Sequence, residues 1–267
     1  MAEMDPDRDE DSPEDAARPH MIRLHAWAKL TVSLAVTGTR ADGYHLIEAE
    51  MVSLDLADII ELTPHGDGLD IDGPYATGLS VDGDNLVARA LELVGRRAHI
   101  RLIKNIPHGG GLGGGSSDAA AILRWAGALD PVAAAGLGAD VPFCLCGGRA
   151  RVTGIGEQIE VLDHLERTFT LVMPPFAMST PEVYRAWDAL GGPMGHINDL
   201  EPAALSVDGR LGEWRDMIEG LSVQPRLAGS GSTWFVDGDH ETSLGTLRDE
   251  GATVLVVNTS DRVCPPG

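Results

Sequence analysis

The glycine-dense segment of this chain reads Pro107-His108-Gly109-Gly110-Gly111-Leu112-Gly113-Gly114-Gly115-Ser116-Ser117. It lies between a strand-like run that ends at Ile106 and a good helix-forming run that starts near Asp118. Because glycine lacks a Cβ, such a backbone can adopt left-handed conformations and direct several N–H groups at one anion. The free amides and positive dipole end of the following helix would face the same turn. The segment therefore predicts a phosphate-binding loop, in which the two serines can cap the helix, donate to a phosphate oxygen or ligate Mg²⁺.

This loop differs from the two common nucleotide-binding fingerprints. The pattern GxxxxGK[ST] requires a lysine directly before the hydroxyl residue, where this chain has Gly115. The dinucleotide pattern GxGxxG fits residues 111–116 loosely, because its last position is serine and no acidic residue follows at the ribose spacing. A flexible glycine linker is the remaining alternative, and the strand and helix patterns on either side argue against it.

Lysine usage is the second unusual feature. Of the 20 basic residues, only Lys29 and Lys104 are lysines. Lys104 lies three residues before the glycine turn, and Lys29 lies in an apolar strand-like run where a cation needs a partner. An ammonium is a compact point charge that arginine does not reproduce, so both lysines are candidates for holding a small anion. The alternative for Lys29 is a side chain that extends from a sheet edge into solvent.

Composition indicates a globular protein, for which two lobes are expected, and its acidity leaves room for a small anion at a local positive site. The chain has 267 residues, 43% of them hydrophobic, and no apolar run reaches the ~20 residues that span a bilayer. Residues 1–20 carry eight carboxylates and no apolar periodicity, so we expect a disordered acidic tail. A formal net charge of −21 argues against a nucleic-acid partner. Three cysteines without CxxC spacing support neither a disulfide framework nor a zinc site, which favours a reducing cytoplasm.

Hydrophobic patterns predict a mixed α+β chain without a regular βαβ repeat. Strands are expected at 22–36, within 47–62, and at 99–106, 169–173, 234–236 and 253–258, with a turn at 37–43. Helices are expected at 84–97, after the glycine turn, and at 131–137, 181–190 and 211–221. Residues 141–152 are predicted to form a strand interrupted by two glycines. We expect an N-terminal domain at 21–160 and a smaller C-terminal domain at 161–267.

Three further motifs carry polar chemistry. Asp42-Gly43-Tyr44-His45 is a turn from which two rings would protrude, which suits base or sugar recognition, although such pairs often have no role. Asp140 stands between small residues and an apolar run, where it either caps a turn or, if it faces Lys29, can accept a proton during phosphoryl transfer to a hydroxyl. Gly229-Ser230-Gly231-Ser232-Thr233 is a second glycine-serine turn, or an ordinary loop.

In this order the motifs resemble the GHMP kinase superfamily, and within it the branch that acts on a cytidine-diphosphate-linked methylerythritol. The resemblance covers residues 22 to about 258 and is carried by Ala28-Lys29-Leu30 and by residues 42–45, 109–120, 138–143 and 229–232. It implies a two-lobed GHMP kinase fold with a β-rich N-terminal nucleotide-binding lobe. It also implies ATP and Mg²⁺ as cofactors, and phosphorylation of the 2-hydroxyl of that small molecule in cytosolic non-mevalonate isoprenoid synthesis. GHMP kinases acting on mevalonate derivatives or homoserine, and a non-catalytic nucleotide-binding relative, are the alternatives.

The resemblance also implies roles for individual residues. Lys29 and Asp140 would form the catalytic pair. Residues implied to bind ATP are Asn85, Lys104, Pro107, His108, Gly109, Gly110, Gly111, Leu112, Gly113, Gly114, Gly115, Ser116 and Ser117. Residues implied to bind the other substrate are Thr31, Tyr44, His45, Tyr184, Gly229, Ser230, Gly231 and Ser232. The chain departs from the family twice, because Thr31 stands where asparagine is usual and the segment from Ser117 to Asp140 is shorter.

Overall fold

The computed structural model describes residues 21–192 and 194–261, so the predicted acidic tail lies outside the described residues. The strands are β1 (Ile22–Thr39), β2 (His45–Pro64), β3 (Leu69–Asp72), β4 (Ala98–Ile103), β5 (Arg149–Gly154), β6 (Gln158–Leu162), β7 (Thr168–Met173), β8 (Arg226–Leu227), β9 (Trp234–Asp237) and β10 (Thr253–Asn258). The α-helices are α1 (Leu86–Leu93), α2 (Gly114–Ala126), α3 (Pro131–Ala135), α4 (Val141–Cys146), α5 (Thr180–Ala189), α6 (Glu201–Val207), α7 (Arg210–Gly220) and α8 (Glu241–Leu244). A 3₁₀ turn follows at Gly245–Glu250.

The first sheet is built around the long antiparallel pair of β1 and β2. The other edge of β2 pairs with β5 along residues 47–52 and with β4 along residues 59–64. Strand β6 adds to β5, and β3 lies parallel to β4. Residues 28–32 of β1 are buried on both faces, because α2 packs on one side and the second sheet on the other.

The second sheet has the order β10-β7-β9-β8, with every pair antiparallel. Its inner face shares a core cluster with the first sheet, in which Leu30 and Leu112 lie with Phe169, Leu171 and Phe235. None of the described helices combines the length and the apolar character that crossing a bilayer requires.

The α+β prediction is confirmed, and most predicted elements occur close to their predicted positions. The prediction of a strand over residues 141–152 is wrong, because residues 141–146 form α4 and the strand begins at Arg149. Five consecutive residues of this run are buried, so the run has no polar face that would reveal its period. Pro142 fits the first turn of α4, where its missing N–H costs no hydrogen bond. Helix α2 also begins at Gly114, four residues earlier than predicted.

Asn198 and Asp199 join the two lobes. The side-chain amide of Asn198 donates to the carbonyls of Leu227, at 2.9 Å, and Gly229, at 2.7 Å. The Asp199 carboxylate accepts from the Val36 N–H at 3.0 Å, and its own N–H donates to the Leu34 carbonyl at 2.9 Å. This buried segment therefore holds the second glycine turn against β1.

Replacing Asn198 with alanine should destabilise the protein by about 3 kcal/mol, because buried carbonyls at 227 and 229 would lose their donor. Denaturant unfolding followed by circular dichroism measures the loss. Asn258→Ala is the matched control, since Asn258 is exposed and its replacement should cost less than about 1 kcal/mol. Equal losses in the two variants would contradict the role given to Asn198.

Candidate active site

The glycine loop at residues 107–113 connects β4 to α2 and lies directly on Lys29. Leu112 accepts the Lys29 N–H through its carbonyl at 2.9 Å. Gly113 has a φ of +69°, and a Cβ there would stand 2.7 Å from Cγ of Lys29. A side chain at position 113 would therefore be both strained and in collision with the lysine stem. Glycine at this position lets the loop and the lysine occupy adjacent space.

The second side of the loop touches the other lobe just as closely. A Cβ at Gly109 would stand 2.6 Å from Cβ of Ala177, and one at Gly110 would stand 2.7 Å from Oγ1 of Thr233. The glycine loop is thus enclosed between β1 and the second lobe, with its backbone rather than side chains at both contacts.

Lys29 and Asp140 form an ion pair between a buried ammonium and a partly exposed carboxylate. Lys29 Nζ lies 3.1 Å from Oδ2 of Asp140 and donates to Oγ1 of Thr31, also at 3.1 Å. Lys29 is 5% exposed, whereas the Asp140 side chain is 32% exposed. Asp140 occupies the position before α4, yet its side chain makes no capping hydrogen bond. The carboxylate is therefore directed at the lysine and the adjacent cavities, despite the short connection from α2.

Two cavities meet at this pair. The larger, of about 620 Å³, lies between the β1–β2 turn, α5 and the second glycine turn. The smaller, of about 400 Å³, lies between the N-terminus of α1, the glycine loop and the N-terminus of α2. Gly111, Ser116 and Asp140 line both cavities. A ligand in either cavity would thus approach the same carboxylate.

The larger cavity contains an aromatic cluster at its outer end. The His45 ring stacks on Tyr184 with centroids 4.7 Å apart, and Trp187 meets the same ring edge-on. Nε2 of His45 lies 2.8 Å from Oδ1 of Asp188. Burial, together with the negative charge of Asp140, raises the pKa of Tyr184 to about 12, so its phenol stays neutral. Tyr44 is 61% exposed and stands free at the rim.

The second glycine turn closes the larger cavity from the other lobe. Gly229 faces Thr31, whose Oγ1 would be 3.7 Å from a Cβ at position 229. Ser230 Oγ lies 2.7 Å from the Thr180 hydroxyl, and both residues line the cavity. Ser232 instead donates its hydroxyl to the Phe176 carbonyl at 2.6 Å and is buried.

The residues expected at ATP divide into two groups. Most of the loop, together with Asn85, lines the smaller cavity. Asn85 also begins α1, where its Oδ1 accepts the Val87 N–H at 2.9 Å. Ser117 is buried, and its hydroxyl donates to the Trp27 carbonyl at 2.5 Å. Lys104 lines the smaller cavity but is only 3% exposed, with its ammonium between two carboxylates. The polar atoms of Ser117 and Lys104 are therefore engaged in the protein interior.

Sequence reasoning missed Asp188, which fixes His45, and Asn198, which fixes the second glycine turn. A signal for Asp188 exists, because it follows Tyr184 by four residues and so lies on the same face of α5. No comparable signal exists for Asn198, whose partners lie about 30 residues further along the chain.

Comparisons with known proteins identify the relatives of this chain. Residues 85–148 match the GHMP kinases N terminal domain. A 4-diphosphocytidyl-2-C-methyl-D-erythritol kinase from Ruegeria pomeroyi is 43% identical over 91% of this chain and 87% of its own. One from Paracoccus denitrificans is 39% identical over 80% of this chain and 85% of its own.

Solved structures show the same relationship. A crystal structure of 4-(cytidine 5'-diphospho)-2C-methyl-D-erythritol kinase superposes with a TM-score of 0.71 at 31% identity, covering 90% of this chain and 99% of that one. Homoserine kinase from Cytophaga hutchinsonii superposes with a TM-score of 0.57 at 17% identity, covering 93% and 96% of the two chains. The homoserine kinase shares the fold alone.

Replacing Asp188 with alanine should release the His45 ring. A carboxylate only accepts hydrogen bonds, so Asp188 holds the neutral ring in the form protonated at Nε2. Without it, we expect a mixture of the two tautomers, which the ¹⁵N chemical shifts of the His45 ring report. Asp70→Ala is the matched control, because Asp70 pairs with the partly exposed His99. An unchanged His45 tautomer in Asp188→Ala would show that the contact does not govern the ring.

Proposed function

Because this chain belongs to the 4-diphosphocytidyl-2-C-methyl-D-erythritol kinase family, a branch of the GHMP kinases, we propose that it transfers the γ-phosphoryl group of ATP to the 2-hydroxyl of that family's substrate. One observation carries the proposal. The Lys29–Asp140 pair, 3.1 Å apart, lies where a cavity lined by a glycine loop meets a second cavity lined by aromatic rings. Two ligands bound there would face each other across one carboxylate.

Asp140 is the general base in this proposal. Its partly exposed carboxylate accepts the proton of the substrate hydroxyl as the new phosphorus–oxygen bond forms and the bond between the γ-phosphorus and the bridging oxygen of ATP breaks, which releases ADP. The buried Lys29 ammonium orients that carboxylate and stabilises the negative charge that develops on the transferred group. Thr31 accepts a second hydrogen bond from the ammonium, which fixes the direction of the lysine. Holding the two reactants in the correct relative geometry then accounts for most of the acceleration of the reaction.

The glycine loop and the N-terminus of α2 would bind the phosphate chain of ATP. Loop amides and the free amides of the first helical turn supply N–H donors and a positive dipole end. Asn85, at the start of α1, lines the same cavity and is proposed to lie beside the adenine. This arrangement binds an anion without a cluster of basic side chains, which suits a chain of net charge −21.

The donor set is compatible with Mg²⁺. Among residues 21–192 and 194–261, no three His, Cys, Asp or Glu side chains converge on a metal position. Mg²⁺ needs no such cage, since it retains several waters and takes ligands from substrate phosphates. Asp118 lines the smaller cavity, but its carboxylate accepts from Lys104, whereas Ser116 lines both cavities, so the Ser116 hydroxyl would hold the ion. When bound, the ion neutralises charge on the phosphates.

The aromatic end of the larger cavity is proposed to recognise cytosine. Tyr44 and Tyr184 offer ring faces for stacking, and His45 offers a hydrogen-bonding nitrogen in an orientation fixed by Asp188. Gly229 and Ser230 would close over the diphosphate from the second lobe.

The proposal also covers the division of the chain into domains and its location in the cell. A division into two domains is supported by the origin of the strands, since the first sheet uses residues 22–162 and the second uses residues 168–258; the proposed boundary between 160 and 161 falls within β6, so it belongs a few residues later. A cytoplasmic location is supported by the cysteine spacing.

Replacing Asp140 with asparagine should lower kcat at least about a hundredfold with little change in KM, because the proton acceptor is lost and the shape is kept. ADP release is measured with ATP, Mg²⁺ and 4-diphosphocytidyl-2-C-methyl-D-erythritol, with mevalonate and homoserine as parallel acceptors. Turnover by the parent protein is expected with the cytidylyl compound alone. Near-normal turnover in the variant would exclude Asp140 as the base, and ATP binding without turnover on any acceptor would refute the proposed reaction.

Replacing Tyr44 with alanine should raise KM for the cytidylyl substrate about tenfold, because base stacking on an aromatic ring contributes roughly 1–3 kcal/mol. KM for ATP should not change, since Tyr44 lines only the larger of the two cavities described above. Leu165→Ala, at another exposed apolar side chain, serves as the control. Equal effects on both substrates would argue against base recognition by this ring.

A further inference from the structure

Three charged side chains lie buried beneath the glycine loop and take no part in the proposed reaction. They are Asp58 of β2, Lys104 just after β4, and Asp118 of α2, each at most 3% exposed. The Lys104 ammonium donates to Oδ2 of Asp58 and, at 2.6 Å, to Oδ2 of Asp118. Burying ionic groups is costly, and replacing them with apolar side chains is often neutral or stabilising. The cluster therefore calls for an explanation other than stability.

The cluster connects the two ends of the loop. Oδ1 of Asp58 accepts the N–H groups of Asn105, at 2.5 Å, and Ile106, at 2.8 Å, which are the last residues before the loop. Asp118 lies in α2, which begins directly after the loop. Because Lys104 binds both carboxylates, the chain entering the loop and the helix leaving it share one attachment to β2.

Gly114 shows that the loop end rests directly on this cluster. A Cβ at this first residue of α2 would stand 3.2 Å from Nζ of Lys104 and 3.4 Å from Oδ2 of Asp58. A displacement of the lysine would therefore move the first helical turn, whose residues Gly114, Gly115 and Ser116 line the smaller cavity.

We propose that Asp58, Lys104 and Asp118 act as positioning residues that hold both ends of the glycine loop together and so preset its amides for a phosphate chain. Lys104 acts through the two carboxylates and does not itself contact phosphate. The proposal rests on the proposed function only where it names phosphate as the ligand of the loop.

Position 118 gives the cleanest test. Oδ1 of Asp118 has no hydrogen-bond partner among the described residues, so Asp118→Ala removes one hydrogen bond, the one from Lys104, together with the repulsion between Asp118 and Asp58. Asp118→Asn keeps the shape and an accepting oxygen. Because the asparagine oxygen can still accept from the Lys104 ammonium, this variant should be the milder of the two. Asp67→Asn, in an exposed pair with Arg97, is the matched control.

Amide hydrogen exchange of the ligand-free full chain measures the order of the loop directly. In Asp118→Ala, exchange at residues 105–117 should accelerate about tenfold or more, with a smaller increase in Asp118→Asn and none in Asp67→Asn. Exchange in β7 should stay unchanged and reports global stability. Unchanged exchange at residues 105–117 in folded Asp118→Ala, or an equal rise in β7, would overturn the proposal.

The affinity for ATP, measured by calorimetry, separates the positioning role from a purely electrostatic one, because the two predict changes in Kd of opposite sign. Removing a buried negative charge would by itself tighten binding of an anion. The positioning role instead predicts a Kd about tenfold higher in Asp118→Ala, because the disordered amides must be reordered on binding. Tighter binding would overturn the proposal and make Lys104 a phosphate ligand. If hydrogen exchange changes as expected but the parent protein binds no ATP, the positioning role of the cluster is supported and the proposed function is refuted.

Discussion

A lysine ammonium enclosed by protein is tolerated only when a carboxylate accompanies it, and the architecture around Lys29 follows from this requirement. The lysine projects from a strand that is buried on both faces, so its partner has to be delivered from another element. Helices α2, α3 and α4 perform that delivery and bring Asp140 to 3.1 Å. The glycine at position 113 leaves room for the lysine stem. Loop, helix and strand are thus mutually constrained at one point.

The contact between the glycine loop, α2 and Lys29 also explains how a strongly acidic chain can bind a polyanion. Net charge acts over the whole surface, whereas a bound phosphate responds to dipoles and charges within a few ångströms. Here the local donors are backbone amides, whose positions depend on the path of the chain rather than on side-chain charge. Both lysines of the chain are buried and paired with carboxylates. The positive character of the site therefore comes mainly from its geometry.

Sequence patterns predicted the parts of the molecule whose physics is local. The glycine loop, the α+β class and strands such as β10 follow from composition and period, and the proximity of Lys29 and Asp140 was a stated condition of the predicted chemistry. The helix at residues 141–146 was not predicted, because an apolar run that is buried on all sides shows no periodicity that distinguishes a helix from a strand. Elements of two to five residues, such as β3, β6 and β8, are too short to show a pattern. The partners of Lys104 were missed because Asp58 lies 46 residues away, on a strand that only folding brings close.

The core cluster between the two sheets also bears on how the chain can be divided. Leu30, Ile106 and Leu112 from the first lobe are buried by Phe169, Leu171 and Phe235 from the second, and Ser260 returns to hydrogen-bond with Ser53. A fragment ending near residue 160 would leave half of this cluster facing water. The two lobes are separate as binding surfaces, yet they form one cooperative unit of folding. Insertions and fusions are consequently poorly sited at the boundary between the lobes, because they would separate the two halves of this cluster.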